Sequence, residues 1–243
     1  QRQMCIRDRD VRAQGIEYFI ESEDNIGNVS RWPNDGRSVH SVQVIGSQPL
    51  KFMAENFGGN EESDYQLFSL PYDIPNALDA ILLAMDQAGY PDFNKKYWRL
   101  YAYNGGYEEI TDNNYGLFMG EAYFFIWNKD KISERPLFDF GTGHPSTVTD
   151  PPFEIYLQPS EWRFFGVPYD FSIPLEQIYT ENGDYIGDVG SLYAWRDGWK
   201  ELEEGEELMQ WQGYIYKPIS ADRIIIDGRG MDIGMSTERK HDM

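Results

Sequence analysis

The sequence predicts a mainly β protein: the end of a truncated β-sandwich followed by two homologous small β-rich modules, each with one short helix. Three observations lead there. Apolar and polar residues alternate over short runs, as in Ile16, Tyr18 and Ile20 against Glu17, Phe19 and Glu21, the period of a strand with one apolar face. Gly, Pro, Asn and Asp punctuate the runs with turn chemistry, and helical spacing is rare. Several segments recur in the same order along the chain.

Composition narrows the function classes. Of 243 residues, 41 are Asp or Glu and 21 are Lys or Arg, a formal charge of −20. Such a chain repels nucleic acid and anionic lipid surfaces. A hydrophobic content of 41% suffices for packed cores. No apolar run approaches the roughly 20 residues of a membrane helix. The single cysteine, Cys5, excludes a disulfide framework and a thiolate zinc site.

The elements follow in order. Residues 1–9, Gln-Arg-Gln-Met-Cys-Ile-Arg-Asp-Arg, resemble translated sequencing-adapter DNA and are set aside as non-native sequence. Residues 10–46 hold two strands, one around 15–24 and one at 41–45 with Val42 and Val44 on one face. The Asp24–Asn28 turn follows the first, and a polar stretch to Arg37 links it to the second. Two strands bury no core alone. Each module then starts with a strand (50–54; 153–157) and a second strand (65–70; 162–167) that stops at Pro71 or Pro168, where the missing N–H ends ladder pairing. Leu78, Ile81, Leu82 and Met85 occupy one helical face, with Asn76 as N-cap and Gly89 past the C-terminus. The second module keeps about two turns, with Leu175, Ile178 and Tyr179 apolar. Hairpins turning at Asn104-Gly105-Gly106 and Asp197-Gly198 precede closing strands (122–127; 213–217), and Arg223–Ile226 adds one more.

The recurrence is explicit. Tyr65 to Asp73 matches Trp162 to Asp170, with Pro71-Tyr72-Asp73 identical to Pro168-Tyr169-Asp170. Leu100 to Ile110 matches Leu192 to Leu202, Ala122 to Phe125 matches Gly213 to Tyr216, and Pro49 to Phe52 matches Pro152 to Ile155. The modules therefore span 49–138 and 152–226. Residues 139–151, rich in Gly, Pro, Ser and Thr, read as a linker, and 227–243 as a disordered tail.

Two resemblances attach to these residues. The run Gly15 to Asn28 resembles the penultimate strand and loop of fibronectin-type-III-like or immunoglobulin-like domains in bacterial secreted proteins. Tyr65–Pro71 and Trp162–Pro168, with Met119–Phe125 and Gln210–Tyr216, resemble the "W-x-L-x-S-L-P … G-Y-W" pattern of tandem modules in Bacteroidetes-type surface and secreted proteins exported by type IX secretion. Neither copy here has the Trp of the second motif. The resemblance implies an extracellular or cell-surface setting and a non-catalytic structural or adhesive role within a larger exported protein. Other domains of the same polypeptide are the implied partners, with no nucleic acid and no membrane span. It carries over no functional residues.

Catalytic and metal signals are sparse. His40, His144 and His241 are scattered, and no H-E-x-x-H, G-x-S-x-G or phosphate loop occurs. Asp139-Phe140-Gly141 spells a kinase tripeptide without a Gly-rich loop or H-R-D before it. Asp24, Asn25 and Asn28 supply oxygen donors for Ca²⁺, but an Asx-type turn is the simpler reading. Asp73 and Asp170 are read as caps of the following helix or turn. No catalytic residue, metal site or cofactor is expected, and the chain is read as no enzyme. The candidate ligand-stacking aromatics are Trp98, Tyr101, Tyr103, Tyr107, Tyr193, Trp195 and Trp199, whose rings could pack in a core or stack on surface glycans. The alternative function is thus a carbohydrate-binding accessory module of a secreted hydrolase. Coplanar exposed rings would favour that reading and buried rings the structural one.

Overall fold

The computed structural model describes residues 16–18, 20–24, 26–32, 40–42, 51–53, 58–90, 93–111, 115–131, 136–146, 151–158 and 160–228. The readings made for 1–9, for Val44 and Ile45 and for 229–243 lie outside the described residues. The architecture is mainly β, as the alternation predicts, with one α-helix among the described residues.

The N-terminal part forms two antiparallel pairs. β1 (Ile16–Tyr18) will pair with a later strand, and β2 (Ile20–Glu23) pairs with β3 (Val29–Trp32), Ile20 opposite Trp32. The polar stretch expected after the turn therefore begins as a strand. Its cause is local. Asp24 Oδ1 accepts from the amides of Ile26 and Asn28 at 3.0 and 2.9 Å, and Asn28 Nδ2 donates to Oδ2, reversing the chain onto β2. Those bonds hold the exposed Asp24 carboxyl below its usual pKa range, the Asn28 side chain contributing most. β4 (His40–Val42) pairs with β1. Ile20, Ile26, Val29 and Trp32 are all exposed.

The next part begins with β5 (Lys51–Met53), β6 (Gln66–Ser69), β7 (Tyr72–Asp73) and α1 (Ala77–Gln87). α1 buries Leu78, Ile81 and Met85, the face that the spacing marks. Asn76 stands at the N-cap in left-handed backbone (φ 57°) and makes no side-chain cap, so the expected capping bond is absent. The helix closes with Gly89 N–H on Asp86 O and Tyr90 N–H on Met85 O. β8 (Trp98–Tyr103), β9 (Tyr107–Glu109) and β10 (Ala122–Trp127) complete an antiparallel sheet ordered β6-β10-β8-β9. β11 (Leu137–Asp139) pairs with β5, and β12 (His144–Pro145) with β7. Within the 139–151 segment expected as linker, Asp139 pairs with Lys51, His144 and Pro145 pair with β7, and Ser146 N–H reaches Pro168 O at 2.9 Å.

The last part contains β13 (Phe153–Tyr156), β14 (Arg163–Gly166) and β15 (Ile173–Pro174), then β16 (Ile178–Thr180), β17 (Gly190–Trp195) and β18 (Trp199–Glu201). β19 (Glu207–Leu208), β20 (Gly213–Pro218) and β21 (Arg223–Ile226) end it. The helix expected here is a single 3₁₀ turn, Leu175–Gln177. Ile178 and Tyr179 continue it as a strand, Ile178 opposite Ile226, because β-branched Ile178 and Thr180 and aromatic Tyr179 suit a pleated edge beside β21. A second sheet runs β14-β20-β17-β18, the same order as the first.

Equivalent details recur in the two sheets. Tyr123 Oη accepts from Phe118 N–H at 2.9 Å, and Tyr214 Oη from Met209 N–H at 2.6 Å. Ile110 N–H bonds Leu100 O, and Leu202 N–H bonds Leu192 O. Each sheet has a core on its outer face. In the first, Phe68, Leu100, Tyr123, Phe125 and Trp127 pack with α1 and Phe138. In the second, Phe165, Leu192, Tyr214 and Tyr216 pack with Ile155, Ile178 and Ile224.

The inner faces meet each other. Strand alternation turns Leu67, Ala122 and Phe124 toward Phe164 and Ile215, all buried, framed by part-buried Tyr65, Tyr101, Tyr103, Trp162, Tyr193 and Trp195. Each such buried Leu, Ile or Phe contributes about 1.5–3 kcal/mol. Ser69 N–H donates to Trp211 O at 3.0 Å and Gly166 N–H to Gly120 O at 2.9 Å, so each edge strand gives an amide to the opposite half. Arg163 Nη2 pairs with Glu121 Oε1 at 2.8 Å across the same junction.

Candidate functional site

The seven sequence-marked aromatics divide. Leu100 and Ala102 point into the first core, and so does Trp98, which is buried against Phe93 and Phe125 and presents no face to a ligand. That removes Trp98 from the stacking set: six-residue β8 puts even positions inward and odd positions toward the second sheet. Tyr103 is stacked on Phe164, centroids 4.6 Å apart and planes 15° apart, and Tyr193 packs edge-on to Trp162. These two rings act as adhesive between or within sheets.

The other four come together. Tyr101, Tyr107, Trp195 and Trp199 join Tyr65, Phe124 and Glu62 in a cleft of about 290 Å³ between the two sheets. The volume is at the small end of the roughly 300–1,000 Å³ typical of ligand sites. Tyr107 is 61% exposed and Trp199 39%, so the cleft is entered along the tips of hairpins β8–β9 and β17–β18. Phe124 forms the floor. Trp195 stands at 85° to it, Trp199 at 74° and Tyr65 at 88°, with centroids 5.2, 5.8 and 6.3 Å away. Trp195 and Trp199 are themselves 79° apart. Trp195 Nε1 donates to Tyr65 O, which fixes the indole across the junction.

Sequence reasoning missed Glu62, Tyr65 and Phe124. Tyr65 opens the recurrent Pro-terminated segment and Phe124 belongs to the recurrent closing strand, so both carried a signal. Glu62 lies in a 3₁₀ turn (Glu62–Asp64) outside any match.

The electrostatics are simple. Burial first, then Tyr65, pushes the Tyr101 hydroxyl up to about 12. Burial, then Tyr103 and Glu62, raises Tyr107. The phenols therefore stay neutral at pH 7. The Arg99 guanidinium lies 4.9 Å from the Tyr101 centroid, and its charge is met by Glu109 at 2.9 Å. Burial alone would raise Glu109, but bonds from Arg99 and Lys95 outweigh it and hold that carboxyl low.

One carboxyl outside the cleft stands apart. Asp170, expected as a cap, has Oδ1 buried without a hydrogen-bond partner among the described residues, and desolvation lifts its pKa to about 6. No second carboxylate contributes to that shift, and the group it perturbs is Tyr72, pushed up to about 12 mainly by burial. A general acid needs a partnering base or nucleophile. Among the described residues, no group of three or more His, Cys, Asp or Glu is placed to hold a metal. No helix is long and apolar enough to cross a membrane among them.

No family model, curated protein or solved structure matches the chain. What the geometry offers is a packed junction between two sheets with an aromatic cleft within it.

Proposed function

We propose that the chain is a non-catalytic structural region of a larger exported bacterial protein, presented at the cell surface or outside it. It comprises the end of a fibronectin-type-III-like or immunoglobulin-like sandwich and two copies of one β-rich module. The duplication is supported by the shared strand order β6-β10-β8-β9 and β14-β20-β17-β18 and by the matched tyrosine–amide bonds. The single observation that carries the structural reading is how two of the hairpin aromatics are spent: Tyr103 on Phe164, and Trp195 on Phe124 and on the Tyr65 carbonyl, each across the junction. Side chains used to lock two sheets together make a stiff spacer.

The carbohydrate reading draws on the same rings and fits less well. A sugar platform needs rings lying in one plane, whereas those around Phe124 stand steeply to it. The experiment is a screen against glycoside, ester and peptide substrates, which should return buffer rates. Reproducible turnover abolished by Asp170→Asn or by another single carboxylate change would overturn the non-catalytic reading.

A further inference from the structure

We propose that the cleft between the sheets binds a small organic cation carrying a quaternary ammonium head. Six rings, Tyr65, Tyr101, Tyr107, Phe124, Trp195 and Trp199, line it, with one carboxylate, Glu62. Their steep mutual angles make a box rather than a shelf. A box of ring faces surrounds a compact cation, whose charge is drawn to each face and whose methyl groups fill the apolar space. The one carboxylate of the lining, Glu62, would face the cation, in a chain of net charge −20.

One of these rings already faces a cation, and so does a ring at the other end of the junction. Arg99 lies over Tyr101, and its charge is balanced by Glu109 rather than left to repel a ligand. At the other end of the junction, Trp162 occupies the position matching Tyr65, and the Lys217 ammonium sits 5.4 Å from its centroid. There the chain provides its own ammonium. At the Tyr65 end the rings enclose open volume instead, with no Lys or Arg among the lining residues.

The test is a titration of the full chain with choline, following the indole N–H resonances of Trp195 and Trp199. 3,3-Dimethyl-1-butanol, the neutral isostere, serves as one control and cellobiose as another, all at constant ionic strength. Saturable shifts with choline, about tenfold weaker with the isostere, are expected from cation–π attraction in a partly desolvated site. Glu62→Gln, at an exposed position, should leave the melting temperature alone and weaken choline about threefold. Trp199→Ala should abolish the shift at Trp195, and if that variant does not fold, Glu62→Gln decides. Equal affinity for the isostere, saturation with cellobiose alone, no saturable response to choline, or choline binding indifferent to Glu62→Gln would each overturn the proposal.

Discussion

The two halves of the sheet junction use nearly the same backbone and opposite side chains. In the first sheet the inward pair is Leu67 on β6 and Phe124 on β10. In the second, the matching positions are Phe164 on β14 and Ile215 on β20. Each half thus gives one ring and one aliphatic group, in exchanged places, and Phe124 meets Phe164 edge to face at 5.6 Å. The edges follow the same rule. Ser69 stands where the other half has Gly166, and a Cβ on Gly166 would lie 2.0 Å from Ser69 Cβ. Trp211, at φ 64°, stands where the first half has Gly120, at φ 78°. The indole accepts that strained backbone because it is packed, stacked on Phe140 at 5.6 Å and against Tyr72. The lesson is that a close symmetric junction needs asymmetric side chains: a second side chain at Gly166 would meet Ser69, and one at Gly213 would meet Ala122.

The exchanged rings provide the largest expected effect. Phe164→Ala removes contacts to Tyr103, Tyr107, Phe124 and Trp199 and should destabilise by about 3–5 kcal/mol in denaturant unfolding. Phe124→Ala should do the same, and the double variant should lose less than the sum because the two rings touch. Full additivity would mean that the sheets are not packed through them.

Gly166→Ala should destabilise by about 1–3 kcal/mol, since Ser69 is buried and must move. The exchange Ser69→Gly with Gly166→Ser should recover most of that loss by thermal melting, although it gives up the 2.9 Å bond from Ser69 Oγ to Gln212 O. No recovery in the exchanged pair would separate the two positions and break the comparison.

Asp73 and Asp170 sharpen it further, because both follow an identical Pro-Tyr pair. Asp73 is exposed on β7, whereas Asp170 is part-buried with its Oδ1 shut off from solvent. The folded state holds the Asp170 proton up to about pH 6, against an ordinary carboxyl pKa of 3.8. Ionisation therefore withdraws stability as pH rises from about 4 to about 6, and none of that contribution remains above it. Asp170→Asn should raise stability at pH 7 by about 1–2 kcal/mol, allowing for solvent screening, and change it little at pH 3.5. Asp73→Asn, at an exposed position, should change stability little.

The smallest effect is expected at the N-terminus. Ile20, Val29 and Trp32 remain exposed on β2 and β3. A chain beginning at Pro49 should melt within about 0.5 kcal/mol of the full chain and be at least as soluble. A clear drop in melting temperature would make residues 16–42 integral to the fold.

Much of the β architecture is legible in the sequence, because period-2 alternation and Asn-Gly or Asp-Gly turns are local signals. The helical face Leu78, Ile81 and Met85 is legible for the same reason. What alternation leaves open is the identity of the second face. Tyr101 and Tyr103 alternate with Leu100 and Ala102 whether they meet water, ligand or another sheet, and the second sheet arrives from about a hundred residues further on. The place of Trp98 is legible, because it shares the even, buried face of β8 with Leu100 and Ala102. The single 3₁₀ turn at Leu175–Gln177 depends on the strand beside it, since Ile178 pairs with Ile226. Asp170 and Asp73 share their sequence context, so only packing separates them.

The central claim is that the two sheets form one junction, each edge strand giving an amide to the opposite half. Amide hydrogen exchange at Ser69 and Gly166 tests it most directly. Ser69 N–H is held by Trp211 O and Gly166 N–H by Gly120 O. Both amides should exchange as slowly as the interior amides of β10 and β20, at rates governed by global unfolding. Exchange at either site as fast as in the exposed hairpin turns at Gly105 or Gly198 would contradict the junction.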